Sequence, residues 1–115
     1  MEKDLKITSA RQVMTAVLSG DVDHHAAGRI RRAIDEKVRE LMPRRLVLDF
    51  SAVGFMDSSG VGLIIGRAAL CEELGCEVSV IGARRDIRRI LALSGIERIS
   101  NVQVDDGVGK EEVIK

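Results

Sequence analysis

Three short apolar runs set the frame of this chain: Val13–Ser19 (VMTAVLS), Leu46–Phe50 (LVLDF) and Val78–Ile81. Each has the length and composition of a buried strand. Val13–Ser19 carries apolar residues on both faces, as a central strand does. Between the runs, apolar residues recur at helical spacing. Ala27, Ile30, Ile34, Val38 and Leu41 form one stripe, with Asp23 as N-cap and Pro43 as the stop. Ser58 to Leu74 reads as a second helix, ended by Gly75 in the C-cap region. Asp86 to Leu93 reads as a third, with Ile87, Ile90 and Leu91 turned inward and Gly95 after it. Strands alternating with helices predict a mainly parallel sheet covered by helices.

The N-terminus adds one exception. Leu5-Lys6-Ile7 alternates as a short strand, and Ser9–Gln12 reads as a turn. That connection is too tight for a crossover, so the first two strands pair antiparallel. A chain of 115 residues has the size of one domain. No repeat or linker divides it, so the expectation is one α/β domain over residues 1–115. Its sheet is mixed and mainly parallel, with an antiparallel N-terminal hairpin. The tail holds a short strand at Val102–Val104 and a short final helix around Val108 to Ile114.

Composition then narrows the function. Eighteen Lys plus Arg balance eighteen Asp plus Glu, which argues against a general nucleic-acid binder. There is no Trp or Tyr and only Phe50 and Phe55, so base-stacking platforms are nearly excluded. Met1-Glu2-Lys3-Asp4 is charged and no apolar stretch follows, as a signal peptide would require. No apolar run is long enough to cross a bilayer. The expectation is a cytoplasmic protein without membrane attachment. Cys71 and Cys76 make neither a C-x-x-C pair nor a zinc site, and read as reduced core thiols.

The informative stretch is Phe55-Met56-Asp57-Ser58-Ser59-Gly60-Val61-Gly62. It follows a buried strand and opens a helix. Asp57 and Ser58 are both good N-cap residues, and free amides point out of a helix start. Such a start favours a phosphate on serine. Gly60, Gly62 and Gly66 each cost roughly 1 kcal/mol of helix propensity against Ala. Either another backbone or ligand approaches closely there, or the helix packs tightly on the sheet. The helix is apolar nearly all round, so one side is either buried or lent to a partner, around Leu63 and Arg67.

Other readings are weaker. Ser58 with His24 or His25 lacks the G-x-S-x-G context of a nucleophile, so no catalytic residue is assigned. Asp21, Asp23, His24 and His25 point in different directions along a helix start, so no metal site is assigned. Gly60-x-Gly62-x-x-x-Gly66 misses the dinucleotide spacing by one, which leaves a small nucleotide-binding module as a minor alternative. Arg84, Arg85, Arg88 and Arg89 form a basic patch that reads as a solvated or protein-contacting helix face.

Three segments resemble the STAS family (sulphate transporter and anti-sigma antagonist domain) over nearly the whole chain. They are Gly20–His25, the stretch Leu48–Gly62 with its D-S-S-G-x-G core, and Ile90–Ile96. The Asp23-His24-His25 triplet is similar to the sporulation branch, which acts on sigma factor F. The resemblance implies an anti-anti-sigma factor rather than an enzyme. In that family the unmodified protein binds an anti-sigma factor that is also a serine kinase, and the sigma factor is freed. The kinase then phosphorylates the first serine after the motif aspartate, here Ser58, and a PP2C-type phosphatase resets it. ATP belongs to the kinase, so this chain needs no cofactor. Asp57, Ser59, Gly60 and Gly62 frame Ser58, and Asp23 lies in the loop that the family places beside it. A general-stress antagonist, or a STAS scaffold component of a signalling assembly, is the alternative inside the family. No coiled-coil heptad appears, so the free protein is expected to be a monomer.

Overall fold

The structure, a computed structural model, describes residues 4–105. Its strands are β1 (Leu5–Ala10), β2 (Val13–Val22), β3 (Arg45–Met56), β4 (Glu77–Ile81) and β5 (Val102–Val104). They form one sheet in the order β1-β2-β3-β4-β5. Helices α1 (His24–Leu41), α2 (Ser58–Glu73) and α3 (Arg85–Ser94) lie in the crossovers, and a 3-10 turn at Ile96–Arg98 precedes β5. β1 runs antiparallel to β2, and the other neighbours are parallel. This is the mixed sheet with an N-terminal hairpin that the sequence predicts. The predicted final helix falls outside the described residues.

The hairpin closes on Arg11 and Gln12, both in the left-handed region at φ 55° and 67°. Two such residues match the twist of the strands they join. The turn is shorter than expected, because β1 runs on until Ala10 pairs with Val13.

Sequential parallel strands joined by right-handed crossovers place α1, α2 and α3 on one face. Burial agrees. Met14, Leu18, Leu48, Phe50 and Val80 share one buried cluster with helical residues such as Ile30, Ile64 and Leu91. On the opposite face Thr15, Val17, Arg45, Val47 and Ser79 are only half-buried. β2 is therefore central in the sheet but fully buried on one side only. In α1 the inward position is Ala26 rather than Ala27, while Ile30, Ile34 and Val38 are buried as expected.

β3 is longer than the Leu46–Phe50 strand expected. It pairs with β4 only as far as Asp49, and beyond that follows β2 alone. Its register against β2 steps from Val17–Asp49 to Ser19–Ala52, and again from Gly20–Val53 to Asp21–Phe55. Each step inserts an extra β3 residue, which bends the strand. Asp49 braces the first bend, its Oδ1 accepting from the Ser51 amide at 2.9 Å. Gly82 makes room for it: at φ +74° it turns the chain out of β4, and a Cβ there would press on Ser51. The bends return Val53 and Met56 to the core.

Two contacts fix α2. Gly60 lies against Met56, where a Cβ would collide with the methionine side chain. Further along, Arg67 is only 5% exposed. Its Nε lies 2.7 Å from Asp35 Oδ1 on α1, and its Nη2 donates to Oδ2 at 3.3 Å. Removing one partner of a buried pair leaves the other charge uncompensated. Arg67→Met is expected to cost about 3 kcal/mol of unfolding free energy. Arg67→Met combined with Asp35→Leu should regain most of it in urea titrations. Gly60→Ala should cost about 2 kcal/mol in the same assay, because it overpacks Met56.

Candidate functional site

Val22 and Met56 are Cα partners at the neighbouring ends of β2 and β3. The residue after each opens a helix, so Asp23 and Asp57 stand on adjacent strand ends. Both have the extended backbone of an N-cap. Asp23 Oδ1 accepts from the Ala26 amide at 3.0 Å, and Asp57 Oδ1 from the Ser59 amide at 2.8 Å. The Ala26 amide pulls the Asp23 carboxyl below its usual range; slight desolvation opposes this and the nearby His25 assists.

Ser58 is the first residue of α2 and is exposed. Ser59 is half-buried and faces α1, where it shares a groove with His24. The helix-start amides are largely occupied. The Ser59 amide goes to the Asp57 carboxylate, and the Gly60 amide to the Asp57 carbonyl at 2.9 Å. This corrects the expectation that those amides stand free for a phosphate. A phosphate on Ser58 would instead point outward, next to Asp57 and near the Asp23 helix start.

The structure separates the remaining site candidates. Gly60 is buried against Met56, whereas a Cβ at Gly62 or Gly66 would meet nothing within 4 Å. Tight packing on the sheet does not explain those two glycines. Leu63 and Arg67, expected on an exposed partner face, are 4% and 5% exposed. Asp35 draws Arg67 inward across 32 residues of chain, a contact that no local spacing signals. Burial pushes the Arg67 guanidinium below its usual pKa, Asp35 opposes this, and Arg31 adds to it. Phe55, half-exposed beside the motif, is a surface aromatic that the sequence reading passes over. Its exposure follows from the bends in β3.

The rival chemistries find little support. His24 shares its groove with Ser59 rather than with exposed Ser58. Among the described residues, no three His, Cys, Asp or Glu side chains gather as a metal site would require. Arg84 donates to the Gly54 carbonyl at 3.4 Å and pairs with Asp86, which ties the basic patch to the bent end of β3. Cys71 and Cys76 are buried free thiols. Burial pushes Cys71 up to about 12 and raises Cys76 as well, so neither supplies a thiolate.

Known proteins share this architecture. Residues 4–109 match the STAS domain. The chain is 33% identical over 99 residues to an anti-sigma F factor antagonist of Paenibacillus polymyxa, covering 86% of this chain and 85% of that relative. It is 29% identical over 86 residues to an anti-sigma F factor antagonist of Lysinibacillus sphaericus, covering 75% and 74%. Among solved structures, the anti-sigma factor antagonist SpoIIAA in its unphosphorylated form matches with a TM-score of 0.70 at 23% identity, over 96% of this chain and 94% of that one. The phosphorylated form of the Bacillus cell fate determinant SpoIIAA matches at 0.69 and 23%, over 96% and 99%. At this identity the two structures bear on the fold alone. The named relatives are regulatory proteins rather than enzymes. Sheet order, the motif at the start of α2 and the family match agree, and the chain belongs to the STAS domain family.

Proposed function

We propose that this protein is an anti-sigma factor antagonist switched by phosphorylation of Ser58. Its unphosphorylated form binds an anti-sigma factor that is also a serine kinase, and so frees the sigma factor. Sigma F, in sporulation, is the favoured target, because two curated relatives are antagonists of anti-sigma F factor. The kinase brings the ATP, and a PP2C-type phosphatase restores the serine. The protein acts in the cytoplasm, as a monomer when free, without binding nucleic acid or a membrane. No helix among the described residues is long and apolar enough to span a bilayer.

The observation that carries this reading is the exposed Ser58 hydroxyl at a helix start whose next two amides already serve Asp57. A phosphate there adds about −1.5 to −2 charge and finds few internal donors. The charge therefore acts outward on whatever docks against the start of α2. A penalty of about 2.8 kcal/mol weakens docking roughly 100-fold. No refolding is needed, because Ser58 is exposed and lies outside the buried core.

The test is a binding titration against the purified anti-sigma factor encoded by the same genome. Wild type and Ser58→Ala should bind alike, and Ser58→Asp about 100-fold more weakly. ATP should add phosphate to Ser58 of wild type, as read by mass spectrometry. Equal binding by all three, with Ser58 unmodified, would reduce Ser58 to a structural helix residue. Asp23→Asn keeps the cap but removes a charge beside Ser58. It should fold normally and change the phosphorylation rate or the affinity; unchanged values for both would leave Asp23 as a cap alone.

A further inference from the structure

Alongside the Ser58 helix start, α1 and α2 enclose an open groove of about 320 Å³. Glycines shape it: Gly28 from α1, and Gly62 and Gly66 from α2. All three are helix-interior positions, where glycine is less favourable than alanine. A Cβ at any of them would meet nothing within 4 Å, so the fold itself gains nothing from their small size. A body approaching the helix backbones from outside would.

The walls carry positive charge. Arg31 lines the groove with His24 and Arg67. Arg67 is held by Asp35 beneath, its Nε 2.7 Å from Oδ1. Arg31 has no ion-pair or hydrogen-bond partner among the described residues, and its charge works against that of Arg67. Asp35 already answers the charge of Arg67, so exposed Arg31 is the unmet guanidinium of the groove, and it is complementary to a carboxylate.

We infer that this groove receives an acidic side chain carried on a helix of the anti-sigma factor, whose backbone lies against Gly28, Gly62 and Gly66. The inference rests on the function proposed above and identifies a second docking element beside Ser58. Gly62 and Gly66 are one turn apart on α2, and Gly28 faces them from α1. Glycines from both helices line the groove and leave the backbones open to close approach, which suits a helix as occupant.

The test uses positions outside the D-S-S-G-x-G motif. Gly28→Ala/Gly66→Ala should raise the melting temperature by about 4 °C per site, because alanine favours the helix and clashes with nothing. The same variant should bind the purified anti-sigma factor about 10-fold or more weakly, because its methyl groups hold the incoming backbone away. Arg31→Glu should weaken binding by a similar factor with little effect on melting. Reversal of one acidic residue of the anti-sigma factor to Lys should restore the Arg31→Glu complex. If wild type binds and both variants bind equally well, the groove stays empty in the complex and the inference fails while the Ser58 switch stands. If the variants bind normally but abolish a self-dimer seen in wild type by sedimentation, the occupant is a second copy and the inference also fails. If wild type itself does not bind, both readings fall together.

Discussion

The parallel pairing of β2 with β3 is the constraint on which the site depends. It continues past the point where β4 leaves and ends only at Val22 and Met56. Because those residues are paired, the helices that follow begin side by side. Two aspartates then meet the same local demand, since each helix start leaves amides that a carboxylate can satisfy. The neighbouring carboxylates at the Ser58 end thus follow from strand register together with capping. The register is itself tuned by two extra residues in β3, one braced by Asp49 and accommodated by Gly82.

This arrangement separates stability from the proposed switch. The core lies between one face of the sheet and the helices, and Ser58 is outside it. Asp57 supplies the capping interactions of α2, so Ser58 has little structural work of its own. A charge added to its hydroxyl leaves the core contacts in place. Its effect falls on an approaching surface, where desolvation and like-charge repulsion are large. The exposed position, the occupied amides and the nearby carboxylates all act in the same direction.

Most of the fold could be read from the sequence because it rests on local periodicity. The stripe through Ile30, Ile34 and Val38, the cap at Asp23 and the left-handed Gly75 and Gly95 are short-range signals, and the structure keeps them. What could not be read depends on distant partners. Ser51 to Gly54 looks like a loop, and becomes strand only because β2 continues beside it. Gly20-Asp21 looks like a terminator, and the same pairing carries β2 through it. Arg11 and Gln12 lack the Gly or Asn usual for their backbone. Arg67 looked like a docking residue until Asp35, on another helix, pulled it under the surface. The serine was legible as a motif, but the way its neighbours use the helix amides required the geometry.

The glycines of α2 show how one residue type answers two different demands. Gly60 is required by the domain, since Met56 fills the space a side chain would need. Gly62 and Gly66 border unoccupied space, and alanine there would satisfy the helix better. A helix shaped for its own stability would replace the second pair and keep the first. That α2 keeps all three indicates that its shape answers to something besides the fold. In the function proposed, the start of α2 offers a partner the switch, and the groove along it offers a place where a backbone can come close.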